Sequence, residues 1–270
     1  MRPSIGVIGL GRMAQALVEP LLRNADVAPE QVVAVVGRAQ TAAALQAGAF
    51  SGVRIHSTGS DAAAEVWTAP LQLLAVKPQQ LDRVASAAPA VEDSPLLISV
   101  LAGVTLSRLQ RLFPGHRVVR AVPNTPALVG QGLTALAWGD GISEQQRLQV
   151  KALFTGVSEV LELPEDKLDA FLALTSSGPA FIALVAEAMA DGAVASGLPR
   201  DMAHRLAHRT LAGTAALLDQ RRLHPAELKD MVTSPGGTTI AGVRALERGG
   251  LRAALMDAVI AAAERSRELA

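Results

Sequence analysis

The sequence contains no cysteine and no tyrosine, and aromatic residues make up only 3% of its 270 residues. A chain without cysteine has no disulfide bonds, no thiolate metal ligands and no cysteine nucleophile. Excess charge is missing too, because the 25 Lys and Arg residues balance the 25 Asp and Glu residues. With no basic excess to neutralise nucleic-acid phosphates, we expect no nucleic-acid partner.

Targeting and membrane patterns are also missing. The N-terminus enters a strand and a glycine turn within a few residues, with no apolar signal region before it. The most apolar stretch, PAFIALVA, stops at Glu187 after eight residues. That is well short of the ~20 residues of a membrane helix. We therefore expect a cytoplasmic protein with no membrane partner.

Short apolar runs and helical patterns alternate over the first part of the chain. The apolar runs predict strands at residues 5–9, 32–37, 53–56, 71–76, 96–101, 118–122, 132–137 and 159–163. Helical patterns at 12–24, 39–47, 80–88 and 106–112 separate several of them. This alternation is typical of an α/β fold with a doubly wound parallel sheet. Residues 1–163 are therefore predicted to form a Rossmann-type domain.

After Pro164 the strand-like runs end and only helical patterns follow. They cover residues 165–174, 180–196, 200–219, 226–232, 238–247 and 251–269. The helix at 180–196 is apolar around most of its circumference, which is more than one small helical domain can cover. We therefore predict that residues 164–270 form an all-α dimerisation domain and that the chain is a homo-oligomer.

A glycine-rich loop follows the first predicted strand. Gly9, Gly11 and Ala14 form a G-x-G-x-x-A pattern between that strand and the helix at 12–24, the context in which this pattern binds dinucleotides. The glycines allow a tight turn and close approach of a pyrophosphate, which then lies at the helix N-terminus. The residues predicted to bind the cofactor here are Ile8, Gly9, Leu10, Gly11, Arg12 and Met13.

The end of the second predicted strand indicates which dinucleotide is bound. An enzyme that uses NAD usually carries an acid here to bind the ribose hydroxyls, whereas this chain has Gly37 followed by Arg38. A guanidinium binds a 2′-phosphate through paired hydrogen bonds. We therefore predict that Arg38 binds NADPH, with NADH as the alternative cofactor and a solvated surface arginine as the alternative role.

Four longer motifs are more specific than the glycine loop. They are AVKPQ at residues 75–79, RAVPNTPA at 120–127, SGPA at 177–180 and KDMVTSPGGTT at 229–239. Together they resemble pyrroline-5-carboxylate reductase, and the resemblance covers nearly the whole chain. One difference is that residues 175–181 read TSSGPAF where the family commonly reads SGSGPAY. Thr175, Ser176 and Phe181 are the departures, and the last removes a tyrosine.

The resemblance implies reduction of 1-pyrroline-5-carboxylate to L-proline by NAD(P)H, the last step of proline biosynthesis. It implies that Ala75, Val76, Lys77 and Pro78 line the nicotinamide side of the cofactor, with Ala102 and Gly103 alongside. It also implies that the SPGGTT loop forms the substrate pocket, which a partner subunit completes in a dimer or an assembly of dimers. Ser234, Gly237, Thr238 and Thr239 are the substrate-binding residues that match.

The chemistry selects Thr239 as the candidate catalytic residue. Hydride transfer to an imine depends mainly on positioning, and a neutral donor near the imine nitrogen assists it. By resemblance and by its place at a helix start, the Thr239 hydroxyl is our candidate for that hydrogen bond. Free N–H groups at the same helix start can bind the substrate carboxylate, although an ordinary helix cap with turn glycines explains the spacing equally well.

Other functions remain as alternatives. A β-hydroxyacid dehydrogenase also joins a glycine loop to a helical domain, but it needs a lysine on the long helix, and residues 180–196 contain none. A reductase of another cyclic imine and a non-catalytic NADP(H)-binding sensor both stay open. His204 and His208 have the spacing of a metal pair, but Arg205 and Arg209 surround them with positive charge, so we expect no metal.

Overall fold

The structure is a computed structural model that describes residues 3–91 and 93–269. It consists of two compact units. The first contains the residues up to Ser176 together with those from Ala262 onward, and the second is Ser177–Ala261.

The first unit is built on one eight-stranded sheet. Its strands are β1 Ile5–Ile8, β2 Val32–Val36, β3 Arg54–Ser57, β4 Leu71–Leu74, β5 Leu96–Ser99, β6 Arg117–Pro123, β7 Gly132–Trp138 and β8 Ser158–Glu162. They lie in the order β3-β2-β1-β4-β5-β6-β7-β8, and every neighbouring pair is parallel except β6 and β7. The order of the first six strands is that of a dinucleotide-binding Rossmann fold. The predicted α/β fold class is thereby confirmed.

Helices cover both faces of this sheet. They are α1 Arg12–Arg23, α2 Ala39–Gln46, α3 Leu81–Ala87, α4 Leu106–Leu112, α5 Glu144–Thr155 and α6 Leu168–Thr175. All five residues of β2 are buried, and they alternate between two hydrophobic clusters: Val32, Ala34 and Val36 pack in one, Val33 and Val35 in the other. Because both faces of β2 are buried, the strand is apolar at all five positions.

The connection between β6 and β7 departs from the predicted parallel arrangement. Only a short 3₁₀ helix, Thr125–Val129, lies between the two strands. A parallel crossover needs a dozen or more residues, so a link this short returns the chain antiparallel to β6. The following helix α5 is long enough to restore a parallel pair between β7 and β8.

Several elements of the first unit are not in the predicted pattern. The helix α5 is one, and the others are short 3₁₀ helices: Pro29–Gln31, Asp61–Thr68, Pro78–Gln80 and Thr125–Val129. The longest, Asp61–Thr68, buries Val66 and Trp67 beside the sheet.

The second unit is helical throughout. Its helices are α7 Gly178–Ala195, α8 Arg200–Arg221, α9 Pro225–Met231, α10 Thr238–Arg248 and most of α11 Leu251–Glu268. Small residues let α7 and α8 pack closely, with Ala190, Ala203 and Ala207 buried between them. Most large apolar side chains stay exposed, including Ile182 at 52% and Leu184 at 65% of their surface.

One stretch of the described chain, Glu165–Ala195, is long and apolar enough by length and composition to cross a membrane, with a mean hydropathy of 1.6. It includes two helices, because α6 ends at Thr175 and α7 begins at Gly178. Only 17% of its most apolar window is buried in the single chain. The expected absence of a membrane partner stays a prediction.

Candidate functional site: a dinucleotide cleft and a helix-start loop

The turn after β1 brings the backbone of β1 and β4 into close contact. Gly9 has a φ of +93°, a left-handed conformation that favours glycine. A Cβ at Gly9 would lie 2.8 Å from Cγ1 of Val76 and 2.9 Å from the carbonyl oxygen of Ala75. The backbone N–H of Gly9 donates to Val35 (2.9 Å), and that of Ala75 donates to Ile8 (2.8 Å). Glycine at this position therefore allows the turn to fit against the segment after β4.

The start of α1 leaves its first backbone N–H groups available to an anion. Gly11 is the N-cap residue, and no side chain caps the helix or adds negative charge in its first turn. A Cβ at Gly11 would meet no atom within 4 Å, so the space above this glycine is open. Uncapped N–H groups together with the positive end of the helix dipole suit a pyrophosphate.

A cleft of about 650 Å³ opens at the carboxyl ends of β1, β2 and β4. Eight of the predicted cofactor residues line it: Ile8, Gly9, Leu10, Gly11, Arg38, Ala75, Val76 and Lys77. Ligands of open α/β sheets bind where the strand order reverses, which here is between β1 and β4. The cleft is therefore the candidate cofactor site, and its contacts with a cofactor stay a prediction.

The other five predicted cofactor residues lie outside the lining of this cleft. Arg12 and Met13 occupy the first turn of α1, and Pro78 begins a 3₁₀ helix just beyond Lys77. Ala102 is exposed in the loop after β5. Gly103 is buried and has a φ of +71°, and a Cβ there would lie 3.0 Å from Leu269. The structure therefore gives Gly103 a packing role against the end of the chain.

Three polar residues of the cleft lining were missed by the sequence prediction: Thr58, Gln80 and Arg83. Thr58 donates its hydroxyl to the carbonyl of Gly37 (3.2 Å), which places β3 beside the residue before Arg38. Among the described residues, the lining contains three cations, Arg38, Lys77 and Arg83, and no carboxylate. This charge favours a polyanionic ligand.

The SPGGTT loop lies in the second unit and leads into α10. Gly236 has a φ of +66°, and Gly237 is the N-cap of α10, again without a side-chain cap or an acid in the first turn. A Cβ at Gly237 would collide with the Ser234 hydroxyl, so the loop folds this hydroxyl onto the helix start. Within the described residues, the Ser234, Thr238 and Thr239 hydroxyls form no hydrogen bond. The loop therefore presents hydroxyls and free N–H groups together.

The VPNTPA motif holds the end of α6 to the sheet. Asn124, which is 4% exposed, donates to the carbonyl of Thr175 (3.0 Å) and accepts from the N–H of Leu133 (2.8 Å). The Ser176 hydroxyl donates to Pro123 (3.3 Å), and that of Thr175 donates to Phe171 (2.7 Å). Both hydroxyl residues that depart from the family pattern therefore form structural hydrogen bonds.

No cluster of three or more metal-ligating side chains is found over residues 3–91 and 93–269. His204 and His208 lie on one face of α8 with ring centroids 6.3 Å apart. The expected absence of a metal ion stays a prediction.

Two family models match the chain. Residues 4–103 match "NADP oxidoreductase coenzyme F420-dependent", and residues 165–269 match "Pyrroline-5-carboxylate reductase dimerisation". The second match begins at residue 165, whereas the compact units divide after Ser176. The domain boundary expected between residues 163 and 164 therefore stays a prediction.

Sequence similarity to known proteins covers the whole chain or nearly all of it. It is 45% identical to the pyrroline-5-carboxylate reductase of Synechocystis, covering 100% of this chain and 99% of the relative. Identity to the Arabidopsis thaliana enzyme of the same name is 39%, over 98% of this chain and 95% of that one.

Solved structures have the same fold. The Plasmodium falciparum pyrroline carboxylate reductase with NADP bound superposes with a TM-score of 0.87 at 25% identity, covering 99% of this chain and 98% of that one. A pyrroline-5-carboxylate reductase from Coxiella burnetii gives 0.84 at 30% identity, covering 100% and 99%.

Proposed function

Because the chain belongs to the pyrroline-5-carboxylate reductase family, we propose that it reduces 1-pyrroline-5-carboxylate to L-proline with NADPH. The observation that carries this proposal is the 45% identity to a named reductase over the full length of both chains. The cleft and the SPGGTT loop provide the two kinds of site that the reaction needs, one for a dinucleotide and one for a small anionic imine.

The cleft residues fit NADPH chemically. We propose that the N–H groups at the start of α1 bind the pyrophosphate and that Arg38 binds the 2′-phosphate. Lys77, which lines the same cleft, adds positive charge for the phosphates. The second cofactor, NADH, lacks the 2′-phosphate and is expected to bind more weakly.

The SPGGTT loop fits the substrate. We propose that the N–H groups at the start of α10 and the Ser234 and Thr238 hydroxyls bind the substrate carboxylate, because the loop offers donors and no competing acid. Gly237 allows the Ser234 hydroxyl to lie against the helix start. An ordinary cap would need only one of these hydroxyls.

Thr239 is proposed to act on the imine nitrogen. When bound, NADPH supplies the hydride that the imine carbon accepts. As that carbon is reduced, negative charge moves to the nitrogen, which then takes up a proton. The Thr239 hydroxyl donates a hydrogen bond to the nitrogen and so stabilises it most in the transition state. The loop otherwise accelerates the reaction by holding the imine in a fixed orientation.

The exposed apolar surface of the second unit supports a homodimer. Ile182, Leu184, Met256 and Ile260 are each more than half exposed in the single chain. All four lie within the residues that match the dimerisation model. Burying such side chains against a second copy removes a large apolar surface from water. We propose a homodimer, or an assembly of dimers, and a cytoplasmic location.

The test is NADPH consumption by the purified chain. We expect absorbance of NADPH to fall when 1-pyrroline-5-carboxylate is added and L-proline to accumulate in equal amount. Turnover with a six-membered cyclic imine in place of 1-pyrroline-5-carboxylate would identify a different imine reductase. Binding of NADPH with no turnover of any cyclic imine would identify a sensor.

A further inference from the structure

Arg83 is a cation of the cofactor cleft that the sequence motifs do not explain. It lies on α3, is exposed, and lines the cleft together with Arg38 and Lys77. Its side chain forms no ion pair or hydrogen bond within the part of the chain that the structure describes. A guanidinium in a cleft without a counter-ion is available to an anionic ligand.

The acids nearest in sequence to the cleft are paired with other cations. Asp82, which precedes Arg83, accepts from the Arg108 guanidinium at 3.3 Å. Glu65, on the 3₁₀ helix beside the cleft, pairs with Arg54 and lies 3.0 Å from Nε2 of His56. Among the described residues that line the cleft there is no Asp or Glu, so its positive charge has no counter-ion within the lining.

The helix α3 directs one face toward the cleft. Gln80, Arg83, Val84 and Ala87 all line it, and their spacing of three and four residues places them on one side of the helix. The sheet order places β2 and β4 on either side of β1. Arg38, which follows β2, and Arg83, which follows β4, therefore enter the cleft from its two sides.

We propose that Arg83 is a second specificity-determining residue, which binds the 2′-phosphate of NADP(H) from α3 while Arg38 binds it from the opposite side. This rests on the proposed use of NADP(H). A phosphate monoester carries about −1.5 to −2 charges near pH 7, so one guanidinium leaves part of its charge unpaired. A second guanidinium pairs with the remaining negative charge of the phosphate. The ribose of NADH carries no 2′-phosphate and gives this second guanidinium no anion to bind.

The experiment measures binding of two adenosine fragments to the full chain by calorimetry. Adenosine 2′,5′-bisphosphate carries the 2′-phosphate and 5′-AMP does not. We expect Arg83→Gln to weaken binding of the bisphosphate by about ten- to hundredfold and to leave the affinity for 5′-AMP unchanged. Arg83→Lys keeps the charge without the paired geometry, so it should recover part of the loss. The matched control is Arg111→Gln, because Arg111 is an exposed arginine on α4 outside the cleft. This variant should bind both fragments as the wild type does.

Two outcomes would overturn the role of Arg83 while NADP(H) use stands. Equal losses for both fragments would show that the guanidinium stacks on the adenine, and no loss would show that it faces solvent. If the wild-type chain binds both fragments equally, the NADPH preference itself fails, and this result is visible before any variant is made. Circular dichroism of each variant verifies that it is folded.

Discussion

Thr239 is the residue on which the proposed chemistry depends most. Replacing it with alanine removes one hydrogen bond to the imine nitrogen and little volume. Such a bond is worth ~1–3 kcal/mol, so we expect kcat/KM for the imine to fall roughly five- to two-hundredfold. Part of the loss should lie in kcat, because the bond strengthens as the nitrogen gains charge. Steady-state kinetics of Thr239→Ala against wild type measures this.

Thr239→Ser is the matched control, since it keeps the hydroxyl at the same helix start. It should retain most of the activity, and NADPH affinity should stay unchanged in both variants because the proposed cofactor site lies in the first unit. Equal turnover by Thr239→Ala and wild type would show that Thr239 has only a structural role at the start of α10. The hydrogen bond to the imine nitrogen would then come from water or Ser234.

His116 links the stability of the first unit to pH. Its Nε2 lies 3.1 Å from Oε1 of the buried Gln72, and its ring packs edge-on against Trp67 and Phe113. Burial lowers the pKa of His116 from its ordinary value of 6.5, and this outweighs the opposing effect of the backbone carbonyls of Phe113 and Pro114, which favour the protonated ring. The folded protein therefore favours the neutral ring.

The sign of this effect predicts acid sensitivity. A lowered folded pKa means that the unfolded chain binds more protons between the two pKa values. Stability is then complete above the unfolded pKa of about 6.5 and falls as pH drops from there through the folded pKa. His116→Gln does not titrate, so urea midpoints of wild type should fall more steeply than those of the variant below about pH 6.5. Parallel curves for the two proteins would contradict this.

At the scale of elements, the two glycines of the turn after β1 have separable roles. Gly9→Ala strains a left-handed backbone and collides with Ala75 and Val76, so we expect a loss of about 1–3 kcal/mol in stability together with weaker cofactor binding. Gly11→Ala adds a methyl group in open space. It should leave the urea midpoint unchanged and weaken NADPH binding alone, because the methyl group occupies the approach of the pyrophosphate.

Chemical unfolding and NADPH fluorescence titrations of both variants separate the two effects. If Gly11→Ala bound NADPH as wild type does, the start of α1 would not be the pyrophosphate site. A fully stable Gly9→Ala would mean that the turn can move away from the segment after β4.

A strand such as β2 could be predicted because each of its residues is buried and apolar. The helix α5 could not, because only Val150 and Phe154 are buried along its length and its apolar stripe is narrow. The antiparallel direction of β7 could not be predicted either. It follows from the short connection after β6, and the 3₁₀ helix in that connection has no periodic pattern in the sequence.

The candidate site was predictable where a motif requires special backbone geometry. Gly9 and Gly237 are such positions, since a side chain at either would collide with its neighbours. Arg83 was not predictable, because a single arginine on a short helix is ordinarily solvated. The only available signal is its helical spacing from Gln80 and Ala87, which shows a shared face but gives no indication of what that face contacts.

At the scale of the whole molecule, the proposed homodimer depends on the apolar surface of the second unit. Leu184 is 65% exposed on α7, and a matched leucine, Leu148, is 59% exposed on α5 outside the dimerisation match. Burying a leucine contributes about 1.5–3 kcal/mol. Leu184→Glu should therefore dissociate the oligomer in sedimentation experiments, whereas Leu148→Glu should not. A fully active wild-type monomer at nanomolar concentration would contradict the homodimer.

The central claim is that hydride passes from NADPH to the imine carbon. The most direct measurement uses NADPH carrying deuterium at the transferred C4 position, with 1-pyrroline-5-carboxylate and the purified chain. The claim predicts L-proline with one deuterium at C5, formed in equal amount to the NADPH consumed, as detected by mass spectrometry. Proline without deuterium, or oxidation of NADPH without proline, would contradict it.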